Sequence, residues 1–477
     1  MLQTRSSRTN IRLHSKNRGS VKDNLHKIYL ILAILLGTLS AVINPIFYEP
    51  DGPYHFEASA KIVNLVVDTS RYGEKEVTSG MVGQNPAYVA GNHFEKYYLN
   101  EAYITDSENI PRNISAKPGT FGWFGHLIPA AGIWLGYHIY PSLGVMTVFG
   151  RLLPVLVYSL IMFFIIKRLR RGRLAFSALM LSPVVISQFS SFSYDGLSYL
   201  IVAAAIALAI NAVNRNKINL RVVIEFVLMS GLLFIATKTN FKTLIGLYPL
   251  IMIALLYNQY KEKREQKKAK LRSRLVGDES IKVNRKKFIS WPVVSIVSGG
   301  VVALCILTII LQSYGGLIYV LQRFGMNLIR NLASSSLLSM FSSPYRTNQI
   351  PAWVTIAWFI VFVICLLSEE HFVKSTLVSF GAGLLFIANI VAVYFSFMTS
   401  GYIDSTTTTA NQLVGAISGV QGRYFTPLLL LLILFVGNKN FRVKIEMSTT
   451  IIATVVGMVI VSNIILIMNN LWVIFSS

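Results

Sequence analysis

Four short polar segments, set between long apolar runs, hold the side chains able to do chemistry. The first is Glu49-Pro50-Asp51-Gly52-Pro53-Tyr54-His55-Phe56-Glu57. Helical spacing puts Asp51 and His55 on one face, where a hydroxyl substrate or a divalent cation could be held, with Glu57 close by. A carboxylate at a membrane–water interface is partly desolvated, which raises its pKa and makes it a usable general base. The same residues also read as a plain helix start. Asp51 or Gly52 then caps, Pro53 takes the first turn, and Tyr54, Ala58, Ile62 and Leu65 form an apolar stripe.

The second segment, Ser190–Gly196, carries a single charge, Asp195. It is either a second functional carboxylate or the N-cap of the next helix. The third, Lys238-Thr239-Asn240-Phe241-Lys242, places two lysines in a short turn. Either they neutralise an anion or they snorkel to lipid headgroups. The fourth is Gly419-Val420-Gln421-Gly422-Arg423-Tyr424-Phe425-Thr426-Pro427. Its glycines let the backbone approach a ligand, and Arg423, between Gln421 and Tyr424, offers a fork of donors suited to phosphate. The competing reading is an interfacial arginine beside an aromatic-belt tyrosine. A further cation, Arg151, lies inside an apolar run as Gly150-Arg151-Leu152-Leu153-Pro154. An arginine within a span needs a partner, and Asp51 or Asp195 is the candidate.

The apolar runs must position these groups. Hydrophobic residues make up 53% of the 477, and only 14% are charged. The apolar residues come in blocks near the roughly twenty that cross a bilayer, as in Ile28–Phe47, Val293–Leu311 and Ile451–Met468. The net charge of +23 would suggest nucleic acid in a soluble protein. Here Lys and Arg collect between the blocks, so no nucleic-acid partner is expected; contact with membrane lipids is. Cys305 and Cys365 both sit in apolar blocks, which gives neither a disulfide nor a metal role.

Charge orders the spans into an all-α, polytopic membrane helix bundle of about eleven helices. A basic tail, 1–27, lies on the cytoplasmic side. The first span, 28–47, is uncleaved, being longer than a signal-peptide core and lacking an A-x-A site. A large loop, 48–121, holds ten acids against six bases, so it is assigned outside, with amphipathic helices. Were 122–140 to span, five basic residues between Lys167 and Arg173 and twelve within 258–290 would fall outside, against the positive-inside bias. That segment is therefore read as lying on the outer face. The remaining spans are 145–166, 174–190, 196–213, 222–237, 243–257, 291–313, 351–367, 376–399, 424–437 and 448–470. A basic cytoplasmic loop, 258–290, solvated over 261–287, separates an N-terminal half (28–257) from a C-terminal half (291–477). Ser405–Thr409 is read as a second solvated piece.

On this topology all four polar segments reach the extracytoplasmic face. Acids, lysines and arginines gathered there describe a site for a polar head with an apolar tail, such as a lipid-linked phosphate. No P-loop, H-E-x-x-H, paired CxxC or G-x-S-x-G occurs.

At these residues the chain resembles the bacterial DUF2142 membrane proteins, a family itself similar to GT-C glycosyltransferases. Pro50-Asp51-Gly52-Pro53-Tyr54-His55-Phe56 is similar to that family's P-D-E-x-x-H-F, with glycine where the second acid stands. Ser191–Leu197 is similar to S-x-S-x-D-x-L, and Gly419–Leu428 to G-x-Q-G-R-Y-F-x-P-L. The resemblance implies a glycosyltransferase using a polyprenyl-phosphate sugar donor and a cell-surface glycan or glycolipid acceptor. Asp51 would be the general base. Arg423, with Lys238, Gln421 and Tyr424, would face the donor phosphate. Some GT-C members need a divalent metal (Mg or Mn) and others do not. A polysaccharide polymerase or ligase, or a transporter of lipid-linked glycan, is the alternative.

Overall fold

The computed structural model describes residues 21–69, 72, 94–105, 117–274, 305, 308–309, 311–312, 315–333, 338–342, 350–399 and 420–476. Most of the basic tail and most of the span expected at 291–313 lie outside the described residues, as do Ser405–Thr409 and Gly419. The described residues are helical, with no strand beyond two isolated bridges. The chain divides into two compact units, one of residues 1–256, 336–390 and 421–477, the other of 257–335 and 391–420.

In the first unit, α1 (Leu25–Ile43) ends where Asn44-Pro45 cannot continue a helix. α2 (Gly52–Ile62) starts with a proline in its first turn. α3 (Phe121–Ile139) and α4 (Leu143–Arg168) each begin with a hydroxyl cap: Thr120 accepts from the Trp123 N–H and Ser142 from the Val145 N–H. α3 packs along α4 and against α2. Between α1 and α4, Ile46, Phe47, Phe56, Tyr97, Leu143 and Phe192 form a compact apolar core. It anchors the described parts of the long loop.

The third expected span is broken. α5 (Arg173–Met180) stops at Leu181-Ser182, and α6 (Pro183–Phe189) restarts on a proline that has no N–H to give. Asn463 of α14 (Thr449–Ser476) donates Nδ2 to the freed Leu181 carbonyl at 3.0 Å. Irregular backbone survives in a membrane protein where the protein itself satisfies it. α7 (Asp195–Arg215) and α8 (Leu220–Ala236) follow. A 3₁₀ stretch, Thr239–Gly246, then leads into α9 (Leu247–Arg274). The basic segment expected to be loop from 258 is thus helical to Arg274; alternating Lys, Glu, Arg and Gln are good helix formers once a span supplies the nucleus. Later come α11 (Ala352–Ser368) and α12 (Thr376–Thr399). The span expected at 424–437 is 3₁₀ over Gly422–Tyr424 and Thr426–Leu430, and α-helical only in α13 (Leu431–Val436), because Pro427 interrupts the ladder.

In the second unit, α10 (Leu317–Ala333) is amphipathic but inverted: Ile318, Leu321, Met326 and Ile329 are exposed while Asn327 is buried. Such a helix suits apolar surroundings.

Six helical stretches among the described residues are long and apolar enough to cross a membrane: Leu25–Ile43, Leu143–Arg168, Asp195–Arg215, Thr239–Ala269, Thr376–Phe397 and Thr449–Asn470. Ala352–Ser368 and Thr426–Val436 are shorter apolar helices. α3 is not among them.

Candidate functional site

Asp195 opens α7, and the structure uses its carboxylate for something other than capping. The cap position is Tyr194, with no side-chain cap bond. Lys238, between α8 and the 3₁₀ stretch, brings Nζ to 2.5 Å from Asp195 Oδ1. Arg423, in the 3₁₀ turn ahead of α13, places Nε 3.8 Å from Oδ2. The Asp195 side chain is 2% exposed, that of Arg423 9% and that of Lys238 17%. Two cations thus face one carboxylate out of bulk water. Burial pulls the Lys238 pKa down, but the Asp195 carboxylate and the Tyr194 and Tyr424 hydroxyls outweigh it, so the amine's pKa is raised and it stays charged.

Aromatic rings wall the cluster. Lys238 Nζ lies 4.8 Å from the ring centres of both Tyr194 and Tyr424, within cation–π range. The Tyr199 hydroxyl donates to the Arg423 carbonyl, and Asn240 Nδ2 to the Tyr424 carbonyl at 3.3 Å. Asn389 Nδ2 in turn holds the Asn240 carbonyl at 2.6 Å. Gln421 gives its backbone carbonyl to the Tyr424 N–H, and its side-chain Oε1 is buried without a hydrogen-bond donor. The turn is tight because Gly422 runs against Ser339 and Met340: a Cβ there would stand 2.6 Å from the Met340 nitrogen.

Beside Tyr194 sits a histidine pair. His55 Nδ1 and His126 Nε2 are 2.9 Å apart. The His55 ring meets Tyr194 edge-on at 4.9 Å. α3 reaches this close because residue 125 is glycine; a Cβ would clash with Tyr194 Cβ at 2.3 Å. Burial holds His55 well below the ordinary imidazole pKa, helped by His126, Lys238 and Arg423. Burial lowers His126 to about 4. Both rings are therefore neutral near pH 7, one donating to the other.

Asp51 stands one helical turn before His55, whose backbone N–H it accepts at 2.9 Å. It is exposed and adopts φ +56°, and its side chain makes no cap hydrogen bond. A non-glycine residue held in this region stores strain of the kind found at functional sites. Glu57, expected beside it, is buried instead, and its Oε1 accepts from the Thr69 backbone N–H at 3.2 Å and from the Thr69 hydroxyl.

Arg151 corrects an expectation: its carboxylate partner is neither Asp51 nor Asp195 but Glu49, with Nη2 2.7 Å from Oε2. The turn at Asn44-Pro45 faces residue 49 towards α4 and leaves Asp51, two residues on, at the surface. Arg151 also donates to the Asn44 carbonyl at 3.1 Å and the Pro45 carbonyl at 2.9 Å. The other oxygen of Glu49 accepts the Phe192 N–H at 3.2 Å.

All four polar segments thus contribute to one cluster, the first through His55 against Tyr194, with Asp51 a helical turn away. His126, Tyr194 and Glu49 were not singled out as site residues. A histidine in an otherwise apolar stretch was the available signal for His126. Among the described residues no three His, Cys, Asp or Glu gather as metal ligands. Asp195 faces two cations, Thr69 engages Glu57 and the imidazoles face one another, so this donor set does not fit a divalent metal.

Long apolar helices, satisfied irregular backbone between them and charges gathered at helix ends define an all-helical, polytopic membrane protein. The profile of the DUF2142 family, described as a predicted membrane protein, matches residues 34–432. The chain belongs to that family. No curated protein and no solved structure matches it.

Proposed function

We propose that the protein is an inverting glycosyltransferase that moves a sugar from a polyprenyl-phosphate donor to a cell-surface glycan or glycolipid. The active face is extracytoplasmic, on the charge asymmetry of the loops. The observation that carries this reading is the convergence of Lys238 and Arg423 on Asp195, walled by Tyr194 and Tyr424, with a neutral histidine pair alongside. An ammonium and a guanidinium held side by side suit a phosphate, and one carried on an apolar tail can enter between helices.

In the proposed reaction Asp51 takes the proton of the acceptor hydroxyl. The acceptor oxygen attacks the anomeric carbon as its bond to the phosphate oxygen breaks. Lys238 and Arg423 neutralise the charge that grows on the departing polyprenyl phosphate. No step is routed through a metal. His55 and His126 hold Tyr194, and through it the wall of the phosphate site.

The test is transfer of label from a radiolabelled polyprenyl-phosphate sugar, with protein in proteoliposomes and cell-envelope glycolipid as acceptor. Wild type should give a labelled product, and Asp51→Asn should lower the rate by about 10²-fold or more without loss of folded protein. A ladder of products would reassign it as a polymerase. Label that crosses the bilayer with no covalent change would make it a transporter, a reading to which the broken third span lends its one structural argument.

A further inference from the structure

The buried pair Arg151–Glu49 touches neither Asp51 nor Asp195, yet it bonds to the segments that carry both. From α4, the guanidinium holds the Asn44 and Pro45 carbonyls and Glu49, all in the turn that ends two residues before Asp51. Glu49 holds the Phe192 N–H, three residues before Asp195. A fully extended chain spans at most about 3.6 Å per residue. The Asp51 Cα is therefore within about 7 Å of the Glu49 Cα, and the Asp195 Cα within about 11 Å of the Phe192 Cα. The pair has almost no freedom: Arg151 and Glu49 side chains are 1% and 0% exposed, and the guanidinium lies over Tyr48 at 4.9 Å and Phe192 at 5.7 Å. A second layer binds the same two segments, with Ser40 Oγ 2.7 Å from Ser190 Oγ and Tyr48 Oη 2.9 Å from Ser187 Oγ.

We infer that Arg151 and Glu49 are positioning residues that set the spacing between the acceptor base Asp51 and the phosphate site at Asp195. The inference rests on the proposed transfer reaction for its kinetic consequence, but its structural half stands without it. What is particular here is one ion pair engaging both turns that present the functional acids. In-line attack tolerates little misplacement of the reacting groups. Loosening the pair should then slow the chemical step while leaving donor capture, which belongs to Lys238 and Arg423, in place.

The experiment uses the full chain in detergent or nanodiscs. Arg151→Met alone strands a buried carboxylate and risks misfolding, so the informative variant is the double, Arg151→Met with Glu49→Leu, an apolar replacement of the whole pair. Hydrogen–deuterium exchange is read on the peptides covering 44–51 and 190–196. The expected result is faster exchange, about tenfold or more, in both segments together, with the rest of α1, α4 and α7 unchanged. In the transfer assay kcat should fall at least tenfold with KM for the polyprenyl-phosphate donor unchanged, and Glu49→Gln, which keeps an acceptor for Phe192, should recover part of it. Unchanged exchange in the double variant overturns the inference, as does wild-type kcat. If exchange rises in both segments and the wild type transfers no sugar, the coupling stands and the proposed function falls.

Discussion

Two acid–cation groupings lie within one unit of this protein, and they differ in tightness and exposure. Arg151–Glu49 is one cation against one carboxylate, dry and bonded on both sides to backbone. The Asp195 grouping sets two cations against one carboxylate, at looser geometry for Arg423 and with Lys238 part-exposed. A balanced buried pair is complete without a ligand and acts on geometry. Two cationic donors side by side at a partly open position are placed to act on an anion that reaches them. Reading both as phosphate ligands, because both contain arginine, would miss this difference.

The largest expected effect breaks the balanced pair. Arg151→Met leaves Glu49 buried and unpaired and should cost about 3–5 kcal/mol. Arg423→Met leaves Asp195 paired with Lys238 and should cost about 1 kcal/mol or less. Unfolding midpoints in detergent compare the two. Equal losses would show that Arg423 is bound into the fold as tightly as Arg151.

The next effect concerns ligand. Polyprenyl phosphate at a hundred times its Kd should stabilise the wild type by about 2.7 kcal/mol. Lys238→Met combined with Arg423→Met should abolish that gain. Ligand stabilisation surviving the double variant would move the anion site elsewhere.

An effect of comparable size comes from pH, through the histidine pair beside Tyr194. His126 has a pKa of about 4 in the folded protein against an ordinary 6.5, because burial disfavours its charged form. Between those values the unfolded chain binds the proton and the folded chain does not. Stability should therefore be full above pH 6.5 and fall as pH drops towards 4, by up to about 1.4 kcal/mol per pH unit for each such histidine. His55, lowered in the same direction, steepens the fall. His126→Gln should flatten the profile between pH 7 and 5; parallel curves for wild type and variant would mean that the pair is not neutral when folded.

These contrasts also mark what could be read before folding. Long charge-free runs announced an all-helical membrane protein. Asp195, Lys238 and Arg423 stood out because a charge beside a span needs a reason. The partner of Arg151 did not follow from sequence, since Glu49, Asp51 and Asp195 are equally available until the Asn44-Pro45 turn aims Glu49 inward. Nor did the broken third span: 174–190 is as apolar as an intact helix, and Pro183 alone does not say that Asn463 waits to take the Leu181 carbonyl. Both misses are long-range pairings, which local pattern does not encode.

The smallest stability effect is the one most specific to function. Asp51 sits at φ +56°, exposed, with no cap bond from its side chain. Glycine meets no steric penalty in that conformation, whereas an L-residue does. If Asp51 served only to start α2, Asp51→Gly would be neutral or would stabilise by about 0.5–1 kcal/mol with no other consequence. The proposed mechanism makes the same stability prediction and a different functional one: an equal or higher unfolding midpoint together with loss of transfer, since the base is gone. Asp51→Asn keeps the shape and tolerates the same backbone, so it should match wild type in stability and Asp51→Gly in inactivity. Transfer by either variant at the wild-type rate would remove Asp51 from the chemistry and leave its strained backbone without a functional reason.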